Sequence, residues 1–386
     1  MSNPPLSGVR VLSMAEQLPG PYATLLLADL GADVILIERP GSGDPSRRFE
    51  GLFASLNRNK RSVVLNLKDA QDKQRFFELV DTADVVMEGF RPGVMKRLGL
   101  DADTLRQRKP SLVFASISAF GQDGPLASVV GHDLSIQGVA GMVKVPPGQE
   151  SRACVPTLPL ADIASGMFAA LGVVSALLAR ERGQPGQTLD VSMLDSLVSW
   201  MSIFLVPRAN QLPVRDLPPL DPGYGVFATA DGRQLTLSIA GEDEMWQSLC
   251  DLVGLPQYRE LTEKQREARV LEIDPLVRQA VAAWPLDRLQ AQLEARGIAY
   301  GPVRGDSEVL SEPQLVHRGL VAHGVGPAGQ SFVKQPVLFN GANFDIRCPP
   351  PALGEHTEEL LGPSGPSTPA RGVQQTLPLP PARPGI

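Results

Sequence analysis

Ala32-Asp-Val-Ile-Leu-Ile-Glu38 and Ala83-Asp-Val-Val-Met-Glu88 decide the fold. Each is a short run rich in Val and Ile, apolar except near its ends. Neither shows the polar alternation of a sheet face open to water. Such runs belong to strands buried on both faces, the setting of a parallel sheet. Working outward, Gly8 to Leu12 reads as a strand and Pro21 to Gly31 as a helix, with proline in its first turn and glycine at its end. Arg61 to Leu67 and Leu112 to Ile117 read as further strands, and Gln71 to Thr82 as a helix. Strands alternating with helices predict an α/β domain with a doubly wound, Rossmann-like core. The first strand is followed by Ser13-Met-Ala-Glu-Gln-Leu-Pro-Gly20 and not by Gly-x-Gly-x-x-Gly, so a dinucleotide cofactor has no support.

The 386 residues are enough for two domains. Residues 1–206 read as the large α/β domain. Five prolines between Pro207 and Pro222 mark a linker, taken as 207–223. Residues 224–325 read as a smaller α+β domain. Its first strands, Gly225 to Thr229 and Gln234 to Ile239, flank a hairpin turn at Asp231-Gly232. Helices are expected over Glu242 to Val253, Thr262 to Val270 and Leu286 to Arg296. Residues 326–362 read as a return segment to the large domain, and 363–386 as a disordered tail poor in apolar residues.

Net charge is −6 and scattered, which argues against nucleic acid or an anionic membrane as partner. The three cysteines, Cys154, Cys250 and Cys348, have no metal or redox spacing, and no signal peptide opens the chain. A reducing cytoplasm is the expected compartment.

One aspartate opens the long uncharged stretch from Ile163 to Ala179. This stretch is slightly short for a bilayer span and carries two glycines and two serines, so a buried core helix is expected. Asp162 at its head has two readings. It can cap the helix by accepting from free backbone N–H groups. It can also be a carboxylate kept from water for nucleophilic or base chemistry.

The order and spacing of several short motifs settle what kind of chain this resembles. They are Ala28-Asp-Leu-Gly-Ala-Asp33, Ile37-Glu-Arg-Pro40 with Gly41-Ser-Gly-Asp44, Asn57-Arg-Asn-Lys-Arg-Ser62, Leu65-Asn-Leu-Lys68, Phe90-Arg-Pro-Gly93 and Arg97-Leu-Gly99. Gly121-Gln-Asp-Gly-Pro125, Gly131-His-Asp133, Asp162, Thr229-Ala-Asp-Gly232 and Leu353-Gly-Glu-His-Thr357 follow. Together they resemble the family III CoA-transferase (CaiB/BaiF) superfamily, which includes the α-methylacyl-CoA racemases. The resemblance implies an interlocked homodimer, a CoA thioester as substrate and no permanently bound cofactor or metal. It implies CoA contacts from Arg39, Leu65, Lys68, Gly89, Phe90 and Arg97, with guanidinium groups suited to phosphate. It also makes Asp162 the catalytic residue: a nucleophile passing CoA from an acyl-CoA to a small carboxylic acid through an anhydride and an aspartyl-CoA thioester. Backbone N–H groups at the helix start are expected to steady the developing oxyanions.

His132 holds open a second reading, since racemases carry histidine there and pair it with the aspartate as acid and base. Glu242 matches a racemase glutamate that would orient His132. Asp133-Leu-Ser-Ile-Gln137 with Gly141, Pro159-Leu-Ala-Asp-Ile-Ala-Ser-Gly166 and Ala299-Tyr-Gly-Pro-Val303 resemble the transferase style and favour transfer. The glycine-run loop of formyl-CoA transferases is not evident, which makes oxalate or formate a poorer substrate. Gln17, in the first loop, is a further candidate for substrate contact.

Overall fold

A computed structural model describes residues 3–144, 155–214 and 221–362. The chain divides into two compact units, Met1–Ser199 with Ala322–Ile386, and Trp200–Val321. The expected tail at 363–386 lies outside the described residues.

Six parallel strands form the sheet of the first unit: β1 (Arg10–Met14), β2 (Asp33–Glu38), β3 (Lys60–Val64), β4 (Val85–Glu88), β5 (Val113–Ser118) and β6 (Thr188–Ser192). Their order is β3-β2-β1-β4-β5-β6. The two runs that announced the fold are β2 and β4, which flank β1. The connecting helices are α1 (Pro19–Asp29), α2 (Glu50–Leu56), α3 (Ala70–Thr82), α4 (Val94–Leu98), α5 (Ala102–Arg108), α6 (Asp133–Val139), α7 (Leu160–Glu181) and α8 (Met193–Trp200).

Strand periodicity sends alternate side chains to two cores. Val11, Val34, Leu36, Val85, Met87, Val113 and Ala115 pack with α1 and α7. Leu12, Ile35, Ile37, Val63, Val86 and Phe114 pack with α3, α4 and α5. Full burial of one such aliphatic side chain contributes about 1.5–3 kcal/mol, so each layer is a large stabilising term.

Among the described residues, α7 is the one helix long and apolar enough to cross a membrane. It departs from the expected core helix because only one face is buried. Ala161, Ala164, Ala169, Val173 and Ala176 face the core, while Met167, Leu171 and Leu178 are exposed. Its contact with α1 is close. A Cβ on Gly166 would lie 2.7 Å from the carbonyl oxygen of Pro19, so only glycine permits this approach.

The second unit begins at Trp200, ahead of the expected linker at 207–223 and inside the span expected as the large domain. Helix α9 (Ser202–Ala209) contains Pro207, so the first part of 207–223 is helical, and 215–220 lie outside the described residues. A proline after the first turn costs one i→i−4 bond without preventing the earlier ones. Strands β7 (Tyr224–Ala228) and β8 (Gln234–Ser238) form the hairpin at Asp231-Gly232. The helices α10 (Asp243–Val253), α11 (Glu263–Ala268), α12 (Val270–Val281) and α13 (Leu286–Ala295) follow. Strand β9 (Tyr300–Pro302) then joins β8 antiparallel. Trp246, Leu249, Ile273, Val277 and Leu289 centre its core. Residues after the second unit return to the first. The Asn59 Oδ1 accepts from the backbone N of Arg347 at 2.6 Å, and the N of His356 donates to the Ser62 carbonyl at 2.9 Å.

Candidate active site

Strand order reverses between β1 and β4, and loops leaving their carboxyl ends part there to open a crevice. A cavity of about 240 Å³ occupies this place. Its walls are the loop after β1 (Ala15, Glu16, Gln17), the loop after β4 (Gly89 to Pro92), the end of β5 (Ile117, Ser118), and His132 and Asp162 at the starts of α6 and α7. The structure thus gathers Gln17, Gly89, Phe90, His132 and Asp162, which lie far apart in sequence.

Asp162 is the third residue of α7, whose N-cap is Pro159. The expected cap by its own side chain is not made. Asp133 takes that role instead: its Oδ1 accepts from the N of Ala161 at 2.7 Å and of Asp162 at 3.4 Å. Those two N–H groups are therefore occupied and not free for an oxyanion, which corrects the expectation from sequence. The Asp162 carboxylate has no hydrogen bond or ion pair among the described residues. Burial, and then the nearby charge of Asp133, push its pKa up to about 7.

His132 is the N-cap residue of α6, and its backbone N donates to the Ser135 Oγ at 2.9 Å. Its ring is exposed at the cavity wall. Gln17 sits at φ 69°, an uncommon left-handed backbone for a residue with a side chain. The Asp44 carboxylate holds it there, both oxygens lying 3.2 Å from the Gln17 N. Asp44 is fixed in turn by Glu38, whose Oε1 accepts from the Asp44 N at 2.9 Å.

The other expected contacts line up along the same sheet edge. Arg39, directly after β2, donates to the Gly43 carbonyl at 2.9 Å and to Glu16 Oε2 at 3.0 Å. Lys68 and Arg97 are exposed and have no ion pair among the described residues. Leu65 differs from its expected role, because its side chain is buried in the core and its N is already given to the Glu38 carbonyl. Only its carbonyl remains to meet a ligand. Glu242 lies in the second unit, where it accepts from the N of Ala240 at 2.7 Å.

Sequence reasoning missed four groups. Glu16 lines the cavity, and burial raises its pKa to about 7 against the opposing pull of Arg39. Glu88, closing β4, is likewise pushed up to about 7 by burial, while its Oε2 accepts from the Phe90 N at 2.7 Å. Ser118 is buried on the cavity wall and its Oγ has no partner among the described residues. Arg91 is an exposed cation on the same wall. No spacing rule reveals the first three, since each depends on burial.

A crevice at the switch point, a carboxylate held without partners and cations along one sheet edge suit an anionic ligand and acyl chemistry. Comparison with known proteins narrows this. Residues 6–357 match the model of CoA-transferase family III. The chain is 32% identical to the succinate–glutarate CoA-transferase of Agrobacterium fabrum, over 93% of this chain and 95% of the relative. It is 34% identical to the acetyl-CoA:oxalate CoA-transferase of Acetobacter aceti, over 87% and 90%. The crystal structure of a CaiB/BaiF family protein from Brucella suis superposes with a TM-score of 0.81 at 28% identity, over 93% of this chain and 99% of that one. With the fold, the switch-point cavity and the matched span in agreement, the chain belongs to the family III CoA-transferases.

Proposed function

We propose that the protein moves CoA from an acyl-CoA to a small carboxylic acid, with Asp162 as the nucleophile. The observation that carries this reading is the Asp162 carboxylate, set on the cavity wall with no hydrogen bond among the described residues and a pKa raised to about 7. Such a group is half ionised near neutrality and undamped by pairing. Its oxygen attacks the thioester carbonyl, the C–S bond breaks and CoA thiolate leaves, giving an aspartyl-acyl anhydride. The thiolate attacks the aspartyl carbonyl, releases the donor acid and forms an aspartyl-CoA thioester. The acceptor carboxylate attacks this thioester, forming a second anhydride and freeing the thiolate again. Thiolate attack on the acceptor's acyl carbon yields the new acyl-CoA and restores Asp162.

Arg39, Lys68 and Arg97 are assigned to the CoA phosphates, with Gly89, Phe90 and the Leu65 carbonyl contacting through the backbone. The relatives' substrates support short dicarboxylic acids as acceptors, oxalate included, which the missing glycine run alone argued against. The two core layers support a doubly wound reading of the sheet. The exposed Met167, Leu171 and Leu178 along α7 support a homodimer, which sedimentation would show.

The test is to incubate the protein with succinyl-CoA and glutarate, then trap with hydroxylamine. Transfer to glutarate with a hydroxamate at Asp162 is expected. Absence of both would sink the proposal. His132 on the same cavity favours racemisation as the second reading. Solvent deuterium entering the α-carbon of a 2-methylacyl-CoA, without transfer, would select it.

A further inference from the structure

Gly131-His-Asp133 is a motif whose aspartate the reaction sequence leaves unused. In the structure this carboxylate is heavily engaged. Its Oδ1 accepts from Ala161 N at 2.7 Å and Asp162 N at 3.4 Å, and its Oδ2 from Gln137 Nε2 at 2.5 Å. Gln137 is itself buried and also lies 3.5 Å from the Leu158 carbonyl, just ahead of α7. Helix α7 has no cap from its own first turn, because Pro159 occupies the N-cap.

We propose that Asp133 is the positioning residue of the site: from α6 it caps α7 and leaves the Asp162 carboxylate without a partner of its own. The role rests on the reading of Asp162 as nucleophile. Free N–H groups at a helix start attract a neighbouring carboxylate and lower its basicity. Asp133 consumes two of them, and its negative charge offsets the positive helix end. Asp162 is thereby kept from folding back onto its own helix and keeps the basicity that a nucleophile needs. The other ionisable groups around it are His132 on α6, Glu16 after β1, Arg91 after β4, and Tyr22 on α1, against which α7 packs. None of them is hydrogen-bonded to Asp162.

The decisive experiment separates the cap from the charge. Asp133→Asn keeps an acceptor oxygen for α7 but removes the charge, whereas Asp133→Ala removes both. Aspartate labelled with ¹³C at the carboxyl reports the Asp162 titration directly, its signal assigned by loss in Asp162→Asn. The wild-type midpoint is expected at about 7. In Asp133→Asn it should fall by about one unit, the usual scale for losing a nearby like charge. Transfer from succinyl-CoA to glutarate at pH 8 should stay within about tenfold of wild type in Asp133→Asn, but drop about 100-fold in Asp133→Ala through misplacement. Thermal unfolding of each variant confirms that it is folded. An unmoved Asp162 midpoint in Asp133→Asn, or a wild-type rate in folded Asp133→Ala, overturns the proposal. If the carboxyl signal moves while the rate profile does not, Asp133 acts as proposed and the nucleophile assignment fails instead.

Discussion

The two edges of the central sheet treat charge in opposite ways. Where the strands begin, beside β2 and β3, buried polar groups are matched. Asp29 is bound by Arg58 at 2.5 Å and by Asn59 at 2.9 Å. The Lys60 Nζ, fully buried, donates to the Pro21 carbonyl, Thr24 Oγ1 and Asn57 Oδ1 at 2.8–2.9 Å, and burial pushes its pKa well below the usual lysine range. Arg347 reaches the carbonyls of Ala28 and Ala32. Where the strands end, Asp162 and the Ser118 hydroxyl have no partner among the described residues, Gln17 is strained, and three carboxyls have pKa values pushed up to about 7. Pairing fixes the chain at one edge. The other edge, which the proposed function makes the reactive one, gives up stability, since an unpaired buried polar group costs about 1–3 kcal/mol.

Removing the carboxyl at the reactive edge has the largest expected effect. Asp162→Ala should lower transfer at least about 10⁴-fold, as loss of a nucleophile does elsewhere, while leaving the fold intact. On the proposed mechanism the wild-type rate should rise with pH through about 7, because the ionised form would be the attacking one. Substantial turnover in Asp162→Ala would break the comparison by showing that the reactive edge lies elsewhere.

The same chemical change, aspartate to asparagine, should carry opposite signs at the two edges. Asp29→Asn strands the Arg58 guanidinium in the interior and should cost about 3–5 kcal/mol in urea unfolding, the usual penalty for breaking a buried pair. Asp162→Asn should stabilise. The folded-state pKa of Asp162 lies above its unfolded value of 3.8, so the native state binds more protons between pH 3.8 and about 7. Stability is lost as pH rises through that window. At pH 8 the asparagine variant escapes this cost and should gain roughly 1–3 kcal/mol, allowing for partial solvent access. At pH 4 most of the gain should vanish. A destabilised Asp162→Asn at pH 8 would mean that the carboxylate is paired after all.

Sequence pattern reached the edges unevenly. Strands β2 and β4 were legible because a parallel strand buried on both faces leaves an apolar run. Strand β1 was expected at Gly8 to Leu12 and lies at Arg10–Met14, since a glycine before a strand marks its approach and not its first paired residue. Asp162 was legible through its position and the family motifs, but its cap was not. The true acceptor, Asp133, stands 29 residues away in another helix, and no local rule looks that far. The apolar stretch from Ser192 to Phe204 forms two helices, α8 and α9, with the break at Met201. Apolar periodicity runs through both and does not record the break. Glu16 and Glu88 escaped notice because a carboxyl becomes unusual only through what surrounds it.

The smallest effect belongs to an exposed ion pair beside the reactive edge. Glu16 and Arg39 meet at 3.0 Å, and Arg39 is half exposed, so the pair contributes only about 0–1 kcal/mol to stability. Glu16→Gln should therefore unfold almost as wild type does. Its effect should appear in CoA binding instead, because under the proposed assignment of Arg39 to a CoA phosphate Glu16 would compete for the same guanidinium. Glu16 ionises through about pH 7, so the competition is weak at pH 6 and strong at pH 8. By calorimetry the variant should bind CoA as wild type does at pH 6 and up to about tenfold more tightly at pH 8, the scale of a 1.4 kcal/mol contribution. An equal gain at both pH values would show that Glu16 acts through shape rather than charge. It would leave Asp162 and Glu88 as the groups that set the reactive edge apart from the paired one.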